Sequence, residues 1–227
     1  MIDKVWPIES DGFVILKKVM GDDPWIDQCA RHSADMKGRT RDQTRRLIRY
    51  MIKNAHTSPF EFSEMVFHVR VPMDTWRQWI RHRTASVNEY STRYSEAINS
   101  QATILPHMWR KQSTSNRQGS SCNCVEDHIG AYLSRRQLEL QEFSRQVYQE
   151  RLDAGVAREQ ARMDLPLSTY TEAFWKSDLH NLLHFLKLRC APEAQQEIRE
   201  YANVIRKIVE HYFPITFEAW TEFVESK

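Results

Sequence analysis

The stretch MVFHVRVPMDTWRQWI, Met65 to Ile80, changes its period halfway along. From Met65 to Val71, the residues Phe67, Val69 and Val71 fall on one side and Val66, His68 and Arg70 on the other, the two-residue alternation of a strand with one face on a core. Pro72 stops that strand because its nitrogen has no hydrogen to donate, and its fixed φ suits the opening turn of a helix. Trp76, Trp79 and Ile80 then follow at helical spacing. Where this helix ends the chain reads RHRTASVNEYSTR, Arg81 to Arg93, so a dense set of donors leaves regular structure directly from a packed apolar turn.

Working outward, Phe13 to Met20 reads as a second strand after Gly12, and Asp22-Asp23-Pro24 predicts a helix start with a capping acid and an early proline. Leu47, Ile48, Met51 and Ile52 mark another helix ending near His56. Residues 99 to 127 are polar and aperiodic, long enough to be either a binding lid or a disordered segment. Beyond them the sequence turns helical. One apolar stripe runs through Leu140, Phe143, Val147, Tyr148 and Leu152 to Gly155. A second takes Leu179, Leu182, Leu183 and Leu186 with Ser177 as its cap, and a third runs from Ile198 to Tyr212. Thr216 is placed as the cap of a last helix with Trp220 and Phe223. With no repeat and no linker, the expected architecture is α+β (mixed α/β): a helix-rich single domain over residues 1–227 with a small antiparallel sheet.

Thirty-two basic against thirty acidic residues give a net charge of +2, so any cationic site is local rather than global. That balance speaks against a nucleic-acid partner, and no apolar run is long enough to span a bilayer. Cys29, Cys122, Cys124 and Cys190 form neither a CxxC pair nor a secreted framework, and MIDKVWPIES lacks a signal-peptide apolar region; a cytoplasmic protein with reduced thiols is expected. Only six glycines are present, with no GxGxxG and no GxxxxGK[ST]. Phosphate binding would therefore fall to side chains and helix ends.

Arg70 to Arg93 carries five arginines against Asp74 and Glu89. A solvated basic face is one reading. Yet Arg81, His82 and Arg83 follow a tryptophan-rich turn, and guanidiniums beside packed surface need anionic or carbonyl partners. Planar, bidentate arginines suit phosphate and pyrimidine oxygens, and Asn88, Glu89 and Ser91 add the mixed donors and acceptors of a nucleotide site. In SDLHNLLHFLKLR, His180 and His184 stand one helical turn apart with Lys187 beyond them. A metal pair, a structural pair and a ligand-contacting pair all fit that spacing. Zinc peptidases of this form place glutamate after the first histidine and here the residue is Asn181, so no metal is expected. Ser91 has no clear base in its motif and reads as a ligand contact rather than a nucleophile.

RHRTASVNEYS matches the RHR-x7-S signature of the flavin-dependent thymidylate synthases, and HTSPFEF (56–62), RQWIRHR (77–83), ARMDLPLSTYT (161–171), HNLLHFLKLR and AQQEIR resemble segments of that family in family order. The resemblance implies a homotetramer that methylates dUMP to dTMP, with FAD as cofactor and NADPH and 5,10-methylenetetrahydrofolate as co-substrates. It implies FAD contacts at His56, Ser58, Arg81, His82, Arg83, Glu89, Asp178, Leu179, His180 and His184. It implies dUMP contacts at Gln78, Trp79, Ile80, Arg81, Glu89, Tyr90, Ser91, Thr92, Arg93, Arg162 and Arg189, with Arg189 as the catalytic residue beside the pyrimidine. It also implies sites completed between subunits, the Arg81–Arg93 block facing the Arg162–Arg189 block from another chain. The alternative from another class is a nucleic-acid-binding protein using Arg70 to Arg93 as a phosphate-tracking patch.

Overall fold

The computed structural model describes residues 1–32 and 38–225. In chain order its strands are β1 (Val5–Pro7), β2 (Phe13–Met20), β3 (Glu64–Pro72), β4 (Ser86–Glu89), β5 (Arg110–Gln112), β6 (Ser120–Cys124) and β7 (Tyr170–Asp178). Its helices are α1 (Asp23–Ala30), α2 (Arg41–Lys53), α3 (Ser58–Glu61), α4 (Met73–Trp79), α5 (Asp127–Asp153), α6 (Arg158–Ala161), α7 (Leu179–Arg189), α8 (Gln196–Tyr212) and α9 (Pro214–Trp220). The architecture is the expected helix-rich α+β one.

Five strands form an antiparallel sheet in the order β1-β2-β3-β7-β4. The period-two stretch is its centre: Met65, Phe67, Val69 and Val71 are wholly buried, and Phe67 sits opposite Trp175 of β7. This face packs against α4, α7 and α8. Trp79 meets Trp175, Phe185 and Tyr201 with ring centroids 5.3, 5.1 and 5.8 Å apart. Such an aromatic knot fixes the direction in which α4 delivers the chain to Arg81.

Capping follows the sequence at α1, where the Asp22 carboxylate accepts from Trp25 N at 2.8 Å with a proline in the first turn. At α7 the cap is Asp178, not Ser177: Asp178 accepts from the backbone and side chain of Asn181 at 2.9 and 2.8 Å. At α9 the helix already opens at Pro214, with Phe213 rather than Thr216 in the cap position. Its first amides are satisfied from a distance, Ile215 N and Thr216 N donating to the buried Asp23 carboxylate at 2.8 and 3.0 Å. A capping acid borrowed from α1 leaves no local signature.

Residues 99–127 are neither a free lid nor shapeless. The segment pairs Gln101 with Thr169, just ahead of β7, in an isolated antiparallel bridge, makes a 3-10 turn at Pro106–Met108, and closes in the β5–β6 hairpin. Helix α5 holds it from below. Gln141 Nε2 donates to Ala102 O at 2.9 Å, Ile104 N donates to Gln137 Oε1 at 2.9 Å, and Ser134 Oγ donates to Ile104 O at 2.7 Å. Gly130 allows the approach, since a Cβ there would lie 1.9 Å from Pro106 O. Only the C-terminal part of the expected apolar stripe of α5 is buried, with Tyr148 1% exposed and Leu152 packed against its cluster. Ser134, Gln141 and Ser144 face inward, where the segment's backbone needs partners, while Leu140 and Phe143 stand 60% and 63% exposed.

Candidate active site

Helix α4 ends at the Ile80 cap and the chain turns, Arg81 N and His82 N donating to Gln78 O and Trp79 O at 3.4 and 3.0 Å. The turn carries His82 back over α7. Its ring lies edge-on to Phe185, 5.0 Å between centroids, and 6.0 Å from His184. Arg189, at the last turn of α7, donates its Nε–H to His82 Nε2 at 3.0 Å and an Nη2 hydrogen to Gln78 O at 3.2 Å. Burial, then the Arg189 charge and His184, bring the His82 pKa down to about 4. Burial also lowers the Arg189 pKa, though a guanidinium stays charged. The Gln78 amide donates to Gln195 Oε1, and Gln195 reaches on toward Asp74 at 3.5 Å. Gln195 is a member of this cluster that sequence reasoning did not single out, since its partner lies 117 positions away.

A second cluster forms where β4 ends. Glu89, on an exposed strand, turns its carboxylate to accept from Trp76 Nε1 and Thr171 Oγ1 at 2.9 Å each. Tyr90 N continues the pairing to Glu172 O at 2.8 Å, and its hydroxyl donates to Glu96 O at 2.9 Å. Ser91 to Ser95 then close a turn in which the Ser91 hydroxyl accepts from Arg93 N at 3.3 Å. Thr92 is buried and takes a hydrogen bond from Arg162, and Arg93 pairs with Glu159 at 3.0 Å. The two sequence blocks are thus regrouped. Arg162 joins Ser91–Arg93 within one chain, and Arg189 joins Gln78 and His82 within one chain.

A third group lines a cavity of 190 Å³ between α2, α7 and α9: His56, Thr57, His180, His184 and Lys187 beside apolar Met51, Phe60, Leu183 and Trp220. Ser58 opens the neighbouring α3. The Asp178 carboxylate is committed to capping α7. Arg81 and Arg83 are exposed and have no acidic partner among the described residues. Ile80 is partly exposed at the helix cap, but Trp79 and Leu179 are 0% exposed with their side chains in the core, leaving only their backbone for any ligand. Leu179 N is already bound to Ser63 O at 2.8 Å. A larger cavity of 740 Å³, beside Asp27, Arg31 and Arg39, contains none of the expected site residues. Among the described residues no cluster of His, Cys, Asp or Glu has metal-site geometry, and no helix is long and apolar enough to cross a membrane.

Comparisons with known proteins come to the same family. The chain is 47% identical to a flavin-dependent thymidylate synthase of Thermus thermophilus over 219 residues, covering 96% of this chain and 78% of that protein. It is 42% identical to the flavin-dependent thymidylate synthase of Wolbachia pipientis, covering 93% of this chain and 74% of the other. Among solved structures, a UMP/dUMP methylase from Streptomyces cacaoi bound with 5-Br dUMP superposes with a TM-score of 0.86 at 31% identity, covering 95% of this chain and 97% of that one. Residues 15–215 match the thymidylate synthase complementing protein family. That match takes in every side chain of the three groups except Trp220, and the chain is a member of this family, the flavin-dependent thymidylate synthases.

Proposed function

We propose that this enzyme converts dUMP to dTMP by flavin-dependent reductive methylation, with 5,10-methylenetetrahydrofolate as the one-carbon donor and NADPH as the reductant. The observation that carries the reading is the pairing of the RHR-x7-S segment with Arg162 and Arg189 in two cationic half-sites, in a chain nearly half identical to flavin-dependent thymidylate synthases.

The third group suits a flavin. Apolar Met51, Leu183 and Trp220 offer surface for a flat ring, while His56, His180, His184 and Lys187 supply donors for ring edges and phosphates. Arg81 and Arg83, free of acids among the described residues, complement the remaining negative charge. When bound, FAD supplies the hydride that the protein's own side chains cannot. Arg189, with no carboxylate partner among the described residues, sets its charge at the pyrimidine edge and stabilises negative charge there. Ser91, Arg93 and Arg162 hold the anionic end of the nucleotide, and Thr92 keeps Arg162 in place.

The enzyme works as a cytoplasmic homotetramer with shared sites. A cavity of 190 Å³ falls short of the roughly 300–1,000 Å³ that encloses a drug-sized ligand, so one chain supplies only part of the wall. Exposed Ile129, Tyr132, Leu140 and Phe143 on α5, and Tyr94 and Met163 beside the second cluster, offer apolar surface for other copies. The visible spectrum of purified protein checks the cofactor: yellow protein whose colour is released by acid is expected. Colourless protein that stays inactive with added FAD contradicts the assignment.

A further inference from the structure

We infer that His82 is a positioning residue for Arg189, gripping the guanidinium along one edge as a neutral acceptor so that its other edge stays free for a planar ligand. The inference rests on the proposed function for the identity of that ligand, but its geometry stands on this chain alone.

A guanidinium offers five N–H donors in a fixed plane. The Nε–H and the neighbouring Nη2 hydrogen lie parallel on its side edge, and these are the two that His82 Nε2 and Gln78 O accept, at 3.0 and 3.2 Å. Among the described residues Arg189 has no other hydrogen-bond partner, so the end-on pair of Nη groups keeps a bidentate fork unspent. Both acceptors are uncharged. A carboxylate in either place would hold the arginine equally well and cancel its charge, whereas an imidazole and a carbonyl fix the plane and leave the full positive charge to act outward. The grip depends on His82 being neutral with its proton on Nδ1, because Nε2 must present a lone pair. The surroundings of the ring favour that state: burial against Phe185 contributes most, and the Arg189 charge and His184 from α7 add to it. The Phe185 edge and the Trp79 anchor hold the ring in place by packing.

The test uses the full chain. In the ¹⁵N spectrum of histidine-labelled protein near neutral pH, His82 is expected as the neutral Nδ1–H form. His82→Phe keeps a ring and removes the acceptor, and is expected to lower kcat for dTMP formation by about 10–100-fold at saturating FAD, the range for losing a hydrogen bond to a charged group. His82→Gln, whose amide oxygen reaches about where Nε2 did, is expected to recover most of the loss. In an Arg189→Ala background, His82→Phe is expected to add almost nothing. An Nε2-protonated His82, equal losses in the Gln and Phe variants, or additive losses with Arg189→Ala overturns the inference. Absence of dTMP formation by wild-type protein with the Nδ1–H form present strikes the proposed function instead.

Discussion

Replacing Gln141 by leucine removes the strongest tie between α5 and residues 101–104 without a large change in volume. Gln141 is 5% exposed and makes three side-chain hydrogen bonds: to Ala102 O at 2.9 Å, to Ser168 Oγ at 3.1 Å and from Thr103 Oγ1 at 3.2 Å. Each neutral bond is worth about 1 kcal/mol net. Ala102 O keeps its second donor, Gln137 Nε2 at 3.2 Å, which trims the sum to about 2–3 kcal/mol. For a chain of this size that lowers Tm by about 4–12 °C. Locally it opens the strap, so amide exchange at Ala102 and Ile104 should rise by about 30–150-fold, read by mass spectrometry of the 97–109 peptide. If that peptide exchanges freely in the wild-type protein, or if Gln141→Leu changes neither exchange nor Tm, residues 101–104 are a mobile lid and the inward polar face of α5 needs another explanation.

Arg189→Ala should abolish dTMP formation while flavin remains bound, and Arg189→Lys should recover little, because an ammonium cannot reproduce the side-edge grip and the fork together; product assays and the visible spectrum read both. Ser91→Ala should retain measurable turnover with weaker dUMP binding by calorimetry, and a covalent Ser91–pyrimidine adduct would overturn its contact role. Stability should fall as pH drops from 6.5 toward 4, where the unfolded chain protonates His82 and the folded chain does not. The ceiling is about 3 kcal/mol and solvent access to the half-buried ring cuts it to roughly 1–2; His82→Gln should flatten that slope in urea titrations. Mixing Ser91→Ala/Arg93→Ala subunits with Arg189→Ala subunits should restore about a quarter of the sites if the two half-sites meet between chains. Arg162→Ala should fail to complement the Ser91 variant, because Arg162 and Thr92 belong to the same half.

The central strand and its helix were legible because their signals are local: Phe67, Val69 and Val71 alternate, and Pro72 punctuates. The RHR-x7-S residues were legible for the same reason, a fixed spacing on one short stretch. Strand β7 was not, since exposed Phe174 sits between buried Ala173 and Trp175 and hides the alternation. The α5 stripe was legible at Tyr148 and Leu152 but not at Leu140 and Phe143, because apolar spacing cannot show that Ala102, Ile104 and Trp109 would need polar partners from Ser134, Gln137 and Gln141. How the site residues group was equally hidden. Arg162 reaches Thr92 across 70 positions and Arg189 reaches His82 across 107, and only the sheet and α7 bring those pairs together.

The most direct measurement is product formation by flavin-stripped protein given dUMP, 5,10-methylenetetrahydrofolate and NADPH, with and without FAD, read by liquid chromatography and mass spectrometry. The account expects dTMP only when FAD and both co-substrates are present. No dTMP in the complete mixture, or equal dTMP without FAD, would contradict it.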